Sequence, residues 1–210
     1  FFFIGAATPE IYTLSLHDAL PIFTGVYQPV GTTDSELAFC ALLQGLRKEF
    51  PGSQPGLDEL FPALEKLTRE ITQAGVFNFL MSNGQALFAH CSTRLYYLVR
   101  RWPFSTAHLV DADVSIDFAK YTTPEDRVAV IATQPLTDNE VWTAFEPGDL
   151  LMFQHGEVIA RTNVPVPPAV LEKLRDPASD RSASAPTPVV HEPIPVALDL
   201  ESDDAAAFES

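Results

Sequence analysis

The chain has 210 residues, 46% of them hydrophobic, and a formal net charge of −15. That is enough apolar material for one domain with its own core. Acidity of this size repels a phosphate backbone and an anionic lipid surface alike, so nucleic acid and membrane are excluded as expected partners.

Cys40 and Cys91 are the only cysteines. Two thiols cannot build a disulfide framework and suit a reducing cytoplasm, which is the expected location. Apolar residues come in short runs broken by charge, so the sequence holds no transmembrane helix. Phe1 to Ile4 lacks the basic lead and the longer apolar stretch of a signal peptide.

Residues 1–22 fit no element well. "EIYTLSLHDALPI", Glu10 to Ile22, resembles the reading-frame translation of a short-read sequencing adapter without a mismatch, and the chain does not begin with Met. The expectation is a non-native leader over 1–22, in which His17 and Asp18 carry no mechanism. From Phe23, "FTGVYQPVG" reads as an extended segment or loop.

"TTDSELAFCALLQGLRKEF" reads as a helix. Thr33 or Asp34 supplies the cap, Ser35 and Glu36 fill the first turn, and Leu37, Phe39, Cys40, Leu43 and Leu46 form the apolar stripe. After the loop "PGSQPG", Leu57, Leu60, Phe61, Leu64, Leu67 and Ile71 line one face of a second helix. Pro62 interrupts that pattern, so the helix is expected to begin near it, with Gly75 as its C-cap.

A sheet region follows. "VFNFLMS" and "ALFAHCS" flank Asn83-Gly84, a hairpin signal. "RLYYLVRR" is a further strand, "HLVDADVSIDF" holds one more, and "RVAVIATQPL" reads as a strand buried on both faces. "EPGD" and "HG" mark turns around the last two strands. From Thr162 the composition shifts to Pro, Ala, Ser and acidic residues, which predicts a disordered tail over 162–210 with a short helix at Leu171 to Arg175. Asp111, Asp113 and Asp117 alternate as on a solvated face. His90, His108 and His155 lack metal-ligand spacing, so no metal is expected.

"TTDSE", Thr32 to Glu36, and "ATQPLTDNEVW", Ala132 to Trp142, are the most informative words. Asp34 stands at a loop-to-helix junction, where it either caps the helix or faces a pocket and binds an ammonium group. "PVGTTDSELAF", "GVFNFLMSNGQALFAHCSTRLYYLVRR" and "VIATQPLTDNEVW", in this order, resemble class II glutamine amidotransferases of the YafJ-like group over Phe23 to about Arg161.

The resemblance implies an α+β fold, the αββα sandwich of the N-terminal-nucleophile hydrolases, of which residues 23–161 would supply the C-terminal part. It also implies hydrolysis of glutamine or a γ-glutamyl amide through a cysteine thioester, without a cofactor. Asp34 would hold the substrate's α-amino group and Thr33 would lie at the same pocket wall. Gly31 would add a backbone amide. Asn139, Glu140 and Trp142 would pack or order their loop.

The family's N-terminal Cys nucleophile, the Arg that pairs with the substrate carboxylate and the "HNG" oxyanion block have no counterpart in this sequence. No catalytic residue is therefore assigned. "SNGQ" at Ser82 to Gln85 imitates the oxyanion block, but it follows Asp34 and reads better as a β-turn. Cys40, on the apolar stripe, reads as a structural thiol. Cys91 follows His90, and neighbours on a strand point to opposite faces, so the two form no catalytic pair. The alternative to an enzyme is a catalytically inactive fragment or an amino-acid-binding module.

Overall fold

The computed structural model describes residues 2–3, 26–111 and 114–175, with backbone alone at 2–3 and 172–175. The elements are β1 (Phe2–Phe3), α1 (Asp34–Glu49), α2 (Leu57–Thr72), β2 (Phe79–Ser82), β3 (Leu87–Cys91), β4 (Tyr96–Arg101), β5 (Thr106–His108), β6 (Ser115–Asp117), β7 (Arg127–Ala132), β8 (Thr143–Ala144), β9 (Asp149–Gln154), β10 (Glu157–Asn163) and α3 (Pro168–Arg175). A 3-10 turn, Phe118–Lys120, follows β6.

Three layers result. One sheet has the strand order β1-β2-β3-β9-β10 and a second the order β7-β4-β8, while β5 and β6 pair by themselves. Every ladder between these strands is antiparallel. Helices α1 and α2 cover one face of the larger sheet, through Leu42, Leu60, Leu64, Phe79, Met81 and Phe88. Its other face meets the smaller sheet through Cys91, Leu95, Phe145, Leu151 and Phe153, with Tyr97 and Ile131 against them. Tyr97 sets its ring edge-on to Phe145 at 5.3 Å and to Phe153 at 5.6 Å. Such edge-to-face aromatic contacts add to the stabilisation from area burial. This mixed arrangement supplies three of the four layers of the expected α+β sandwich.

Several expectations need correction. Helix α2 begins at Leu57, with Pro62 inside it. A proline there costs about 3 kcal/mol. The Gly56 N–H donates to Glu59 Oε2 at 3.1 Å, and Leu60, Leu64, Leu67 and Ile71 are buried along one face, which offsets that cost. The helix also ends at Thr72, before Gly75, where the Ala74 amide donates to the Ile71 carbonyl.

The buried face of α1 is turned from the expected stripe. Ala38 and Leu42 are fully buried, whereas Phe39 and Leu43 are only partly so. Gly45 explains the turn, because a Cβ there would meet Leu67 Cδ2 at 2.4 Å and the two helices touch at that point.

Strand β7 is an edge strand of the smaller sheet, not a strand buried on both faces, and Val128 on it is 40% exposed. The fold also continues past Thr162. Strand β10 runs to Asn163, and Val164, Val166 and Val170 are buried. Helix α3 starts at Pro168, a residue whose missing N–H suits the first turn. Of the expected leader, Phe2–Phe3 pairs with Ser82 and Met81, and the adapter-like stretch lies outside the described residues. So do the tail beyond Arg175 and Asp113.

Candidate active site

The loop-to-helix junction is built by its own short sequence. Thr33 is the N-cap of α1, in an extended backbone conformation, and its Oγ1 accepts from the Glu36 N–H at 3.4 Å. Asp34 is the first helical residue and is half-buried. Of the two expected caps it is therefore Thr33 that caps. The carboxylate of Asp34 sits in the first turn, where the helix dipole favours negative charge.

Glu36 closes the junction from the other side. Its Oε1 accepts from the Val30 N–H at 2.7 Å and its Oε2 from the Gly31 N–H at 2.8 Å. This is a longer-reaching relative of the capping box, in which the N3 acid binds the N-cap amide. It also corrects the expectation for Gly31, whose amide is held by Glu36. Reading the sequence missed this clamp, although the Thr33-x-x-Glu36 spacing carried the signal.

Both cysteines lie in settings that disfavour the thiolate. Cys91 is fully buried between the two sheets, and burial is the main cause pushing its thiol up to about 12. Cys40 is buried on α1, and its thiol is likewise raised by burial and then by the nearby Glu36 charge. A thiol is reactive only as thiolate, so both read as structural.

His90 faces away from Cys91, as strand alternation requires. Its ring stacks on Phe79 with centroids 5.6 Å apart, and its Nδ1 lies 2.6 Å from the Phe77 carbonyl. Burial lowers its pKa to about 4, so at neutral pH Nδ1–H donates to that carbonyl and the ring is uncharged. Its Nε2 has no partner among the described residues.

The late block orders its own loop. Arg100 binds Glu140 through two bonds of 2.7 Å, Thr137 donates to the same carboxylate, and the Trp142 indole donates to Thr137. Asn139 accepts from the His108 amide and donates to the Thr106 carbonyl. Asp117, one of the alternating acids, accepts from the Ala119 amide and pairs with Lys120. "SNGQ" forms the expected turn between β2 and β3.

A cavity of about 340 Å³ opens between that turn and the β9–β10 turn, over Leu87, Phe153 and Arg127, and neither Thr33 nor Asp34 lines it. No metal-binding cluster of His, Cys, Asp and Glu occurs among the described residues. None of the described helices is long and apolar enough to cross a membrane.

Residues 13–176 match the family described as "Glutamine amidotransferases class-II". The match begins inside the expected leader and ends beyond the expected domain boundary. YafJ of Escherichia coli (strain K12), which carries a glutamine amidotransferase name, is 48% identical over 134 residues, covering 64% of this chain and 52% of that protein. A protein of Haemophilus influenzae with the same family name is 47% identical over 133 residues, covering 63% of this chain and 45% of that one. A 2.0 Å crystal structure from Pseudomonas aeruginosa PA01, described as a glutamine amidotransferase, superposes with a TM-score of 0.59 at 48% identity, over 67% of this chain and 55% of that chain. The chain thus spans about half the length of the relatives it matches. On its sequence blocks, its layered fold and these matches, this chain belongs to the class II glutamine amidotransferases, with YafJ-like proteins among its relatives.

Proposed function

We propose that this chain carries the amino-acid-recognition part of an amidohydrolase acting on glutamine or a γ-glutamyl amide. The observation that carries the reading is the α1 junction: Thr33 caps, Glu36 clamps the loop, and the Asp34 carboxylate stands in the first turn beside them. A carboxylate at this ordered junction suits an α-ammonium group, because the two charges make a charge-assisted hydrogen bond. In this reading Thr33 lies at the wall of the same pocket.

The chemistry proposed is that of the class. A cysteine thiolate at a chain N-terminus attacks the γ-carbonyl, ammonia leaves, and water hydrolyses the thioester to the γ-carboxylate. Neither Cys40 nor Cys91 fills that role, given their burial and raised thiols. The partner is thus a small amino-acid-like molecule, and no nucleic acid or membrane is invoked. Two free, buried thiols fit a cytoplasmic protein.

The test is ammonia release from glutamine and from γ-glutamyl amides by the purified chain, with glutamine binding followed by calorimetry. Binding that Asp34→Asn abolishes supports the site. Turnover lost in Cys91→Ala overturns the assignment of the nucleophile. Binding without turnover favours the amino-acid-binding module instead.

A further inference from the structure

Asn83 is the only asparagine followed by glycine in the sequence, and it sits at the tip of the β2–β3 hairpin. We propose that Ser82-Asn83-Gly84 is a self-modifying site, at which the folded turn promotes loss of the Asn83 side-chain amide as ammonia.

The reaction is an attack of the Gly84 main-chain nitrogen on Asn83 Cγ. A bond forms between that nitrogen and Cγ, and the Gly84 N–H proton passes through water to Asn83 Nδ2. The Cγ–Nδ2 bond then breaks and ammonia leaves, giving a five-membered imide. Water opens the ring at either carbonyl, leaving aspartate or isoaspartate at position 83. The balance is one water consumed and one ammonia released, with no oxidant, reductant or cofactor.

Three features of the turn favour this path. The nucleophile is a main-chain amide, whose weakness is its firmly held proton, and Gly84 N–H donates to Ser82 Oγ at 3.1 Å. The Ser82 hydroxyl proton is committed to the Ala86 carbonyl at 3.0 Å, so an Oγ lone pair is directed at Gly84. A positioned acceptor of this kind is what proton transfer requires.

The electrophile is also prepared. Asn83 Oδ1 accepts from the Gln85 N–H at 3.0 Å and from the Ala86 N–H at 2.9 Å. When the nitrogen adds, negative charge develops on that oxygen, and two backbone donors already point at it. Finally, Gly84 has φ +86°, and beyond its two chain neighbours no heavy atom lies within 4 Å of where a Cβ would stand, so no other side chain crowds that side of the attacking residue. Gly84 and Gln85 are exposed, which lets water reach the imide. The reaction is intramolecular, so proximity is built in.

Either product places a new carboxylate on the tip that borders the cavity with Arg127 and His155. Isoaspartate additionally inserts a methylene into the main chain of the turn. Neither Thr33 nor Asp34 belongs to this turn, so the proposal stands apart from the amidohydrolase reading.

The test incubates the purified full chain, folded and in urea, at mildly alkaline pH. Peptide mass spectrometry follows conversion at position 83, and isoaspartyl methyltransferase labelling separates the two products. The folded chain should convert about tenfold faster than the unfolded one, short of the roughly hundredfold of a matched base or an oxyanion-hole donor, because a neutral hydroxyl is a weak proton acceptor. A folded rate equal to or below the unfolded rate overturns the proposal. Ser82→Ala, checked for an intact hairpin by hydrogen exchange, should bring the folded rate down to the unfolded one, and an unchanged rate would remove Ser82 from the mechanism. Asn83→Asp should release no ammonia from this peptide, and continued release would place the source elsewhere.

Discussion

Arg100 on β4 and Glu140 in the β7–β8 loop are joined by a bidentate pair, Nε to Oε1 and Nη2 to Oε2, each 2.7 Å, with their side chains only 15% and 7% exposed. The guanidinium also lies 4.5 Å from the centre of the Phe118 ring. A pair this sheltered is costly to break from one side, because the remaining charge stays buried. Glu140→Ala should therefore lower unfolding stability by about 3 kcal/mol, read from chemical denaturation, and a double-mutant cycle with Arg100→Ala should show strong coupling. The hydrogen bond from Arg100 holds the Glu140 carboxyl below its ordinary 4.5. A depressed carboxylate contributes stability that is full above the unfolded value and is lost as pH falls through the folded one. The Glu140 contribution should accordingly fade only in acid, below about pH 4.5.

His90 should produce a separate acid sensitivity. Its pKa falls from 6.5 unfolded to about 4 folded, mainly through burial. The unfolded state therefore binds more protons between those values, and stability drops as pH falls through that window. Above the window the ring is neutral in both states and contributes no slope. Across it the loss is on the order of 3 kcal/mol, at 1.36 kcal/mol per unit. Replacing the ring with His90→Asn, whose amide can still donate to the Phe77 carbonyl, should flatten the stability–pH curve between pH 6.5 and about 4. An unchanged slope would mean the ring is hydrated in solution.

Which parts of this were legible in the sequence follows from how local each signal was. The Asn83-Gly84 hairpin and the opposite facing of His90 and Cys91 depend on a few neighbouring residues and strand alternation, and both hold. The face of α1 was misjudged because nearly every residue from Leu37 to Leu43 is apolar, so periodicity alone cannot choose among them. Gly45, where α2 comes closest, was the better guide. Pro62 does not set the start of α2, since packing and an N-terminal cap outweigh one lost hydrogen bond. The β-branched run of β7 does favour a strand, but it cannot say whether that strand lies at an edge. At the site, Asp34 and Thr33 follow from a resemblance, whereas the Thr33-x-x-Glu36 spacing signals a capping acid but not that its carboxylate reaches back to Val30 and Gly31.

Two glycines with similar backbone angles should respond differently to the same change. Gly52 has φ +77° with open space around it, whereas a Cβ at Gly156, φ +73°, would meet the Arg127 carbonyl carbon and oxygen at 2.5 Å. Gly52→Ala should cost about 1 kcal/mol, the backbone strain alone. Gly156→Ala adds a clash with main chain that cannot rotate away, so its cost should exceed that of Gly52→Ala by about 2 kcal/mol, measured by thermal denaturation.

The α1 junction separates stability from recognition, and that separation tests the proposed site most sharply. Thr33 accepts the Glu36 amide, so Thr33→Ala removes a cap and should cost about 1 kcal/mol of stability. Glu36→Gln keeps the shape but gives up charge-assisted bonds to the Val30 and Gly31 amides, at a cost of about 1–3 kcal/mol. Asp34 is not the cap, so Asp34→Asn leaves the Thr33 cap intact and weakens the helix-dipole contribution, worth up to about 1 kcal/mol. Its effect on glutamine should be far larger: an ammonium–carboxylate bond of about 1.5–3 kcal/mol corresponds to a loss of affinity of about tenfold to a hundredfold. Calorimetric titration with glutamine, paired with melting curves for all three variants, reads both quantities. Should Asp34→Asn lose stability while keeping its affinity, Asp34 is a structural acid and the recognition role fails.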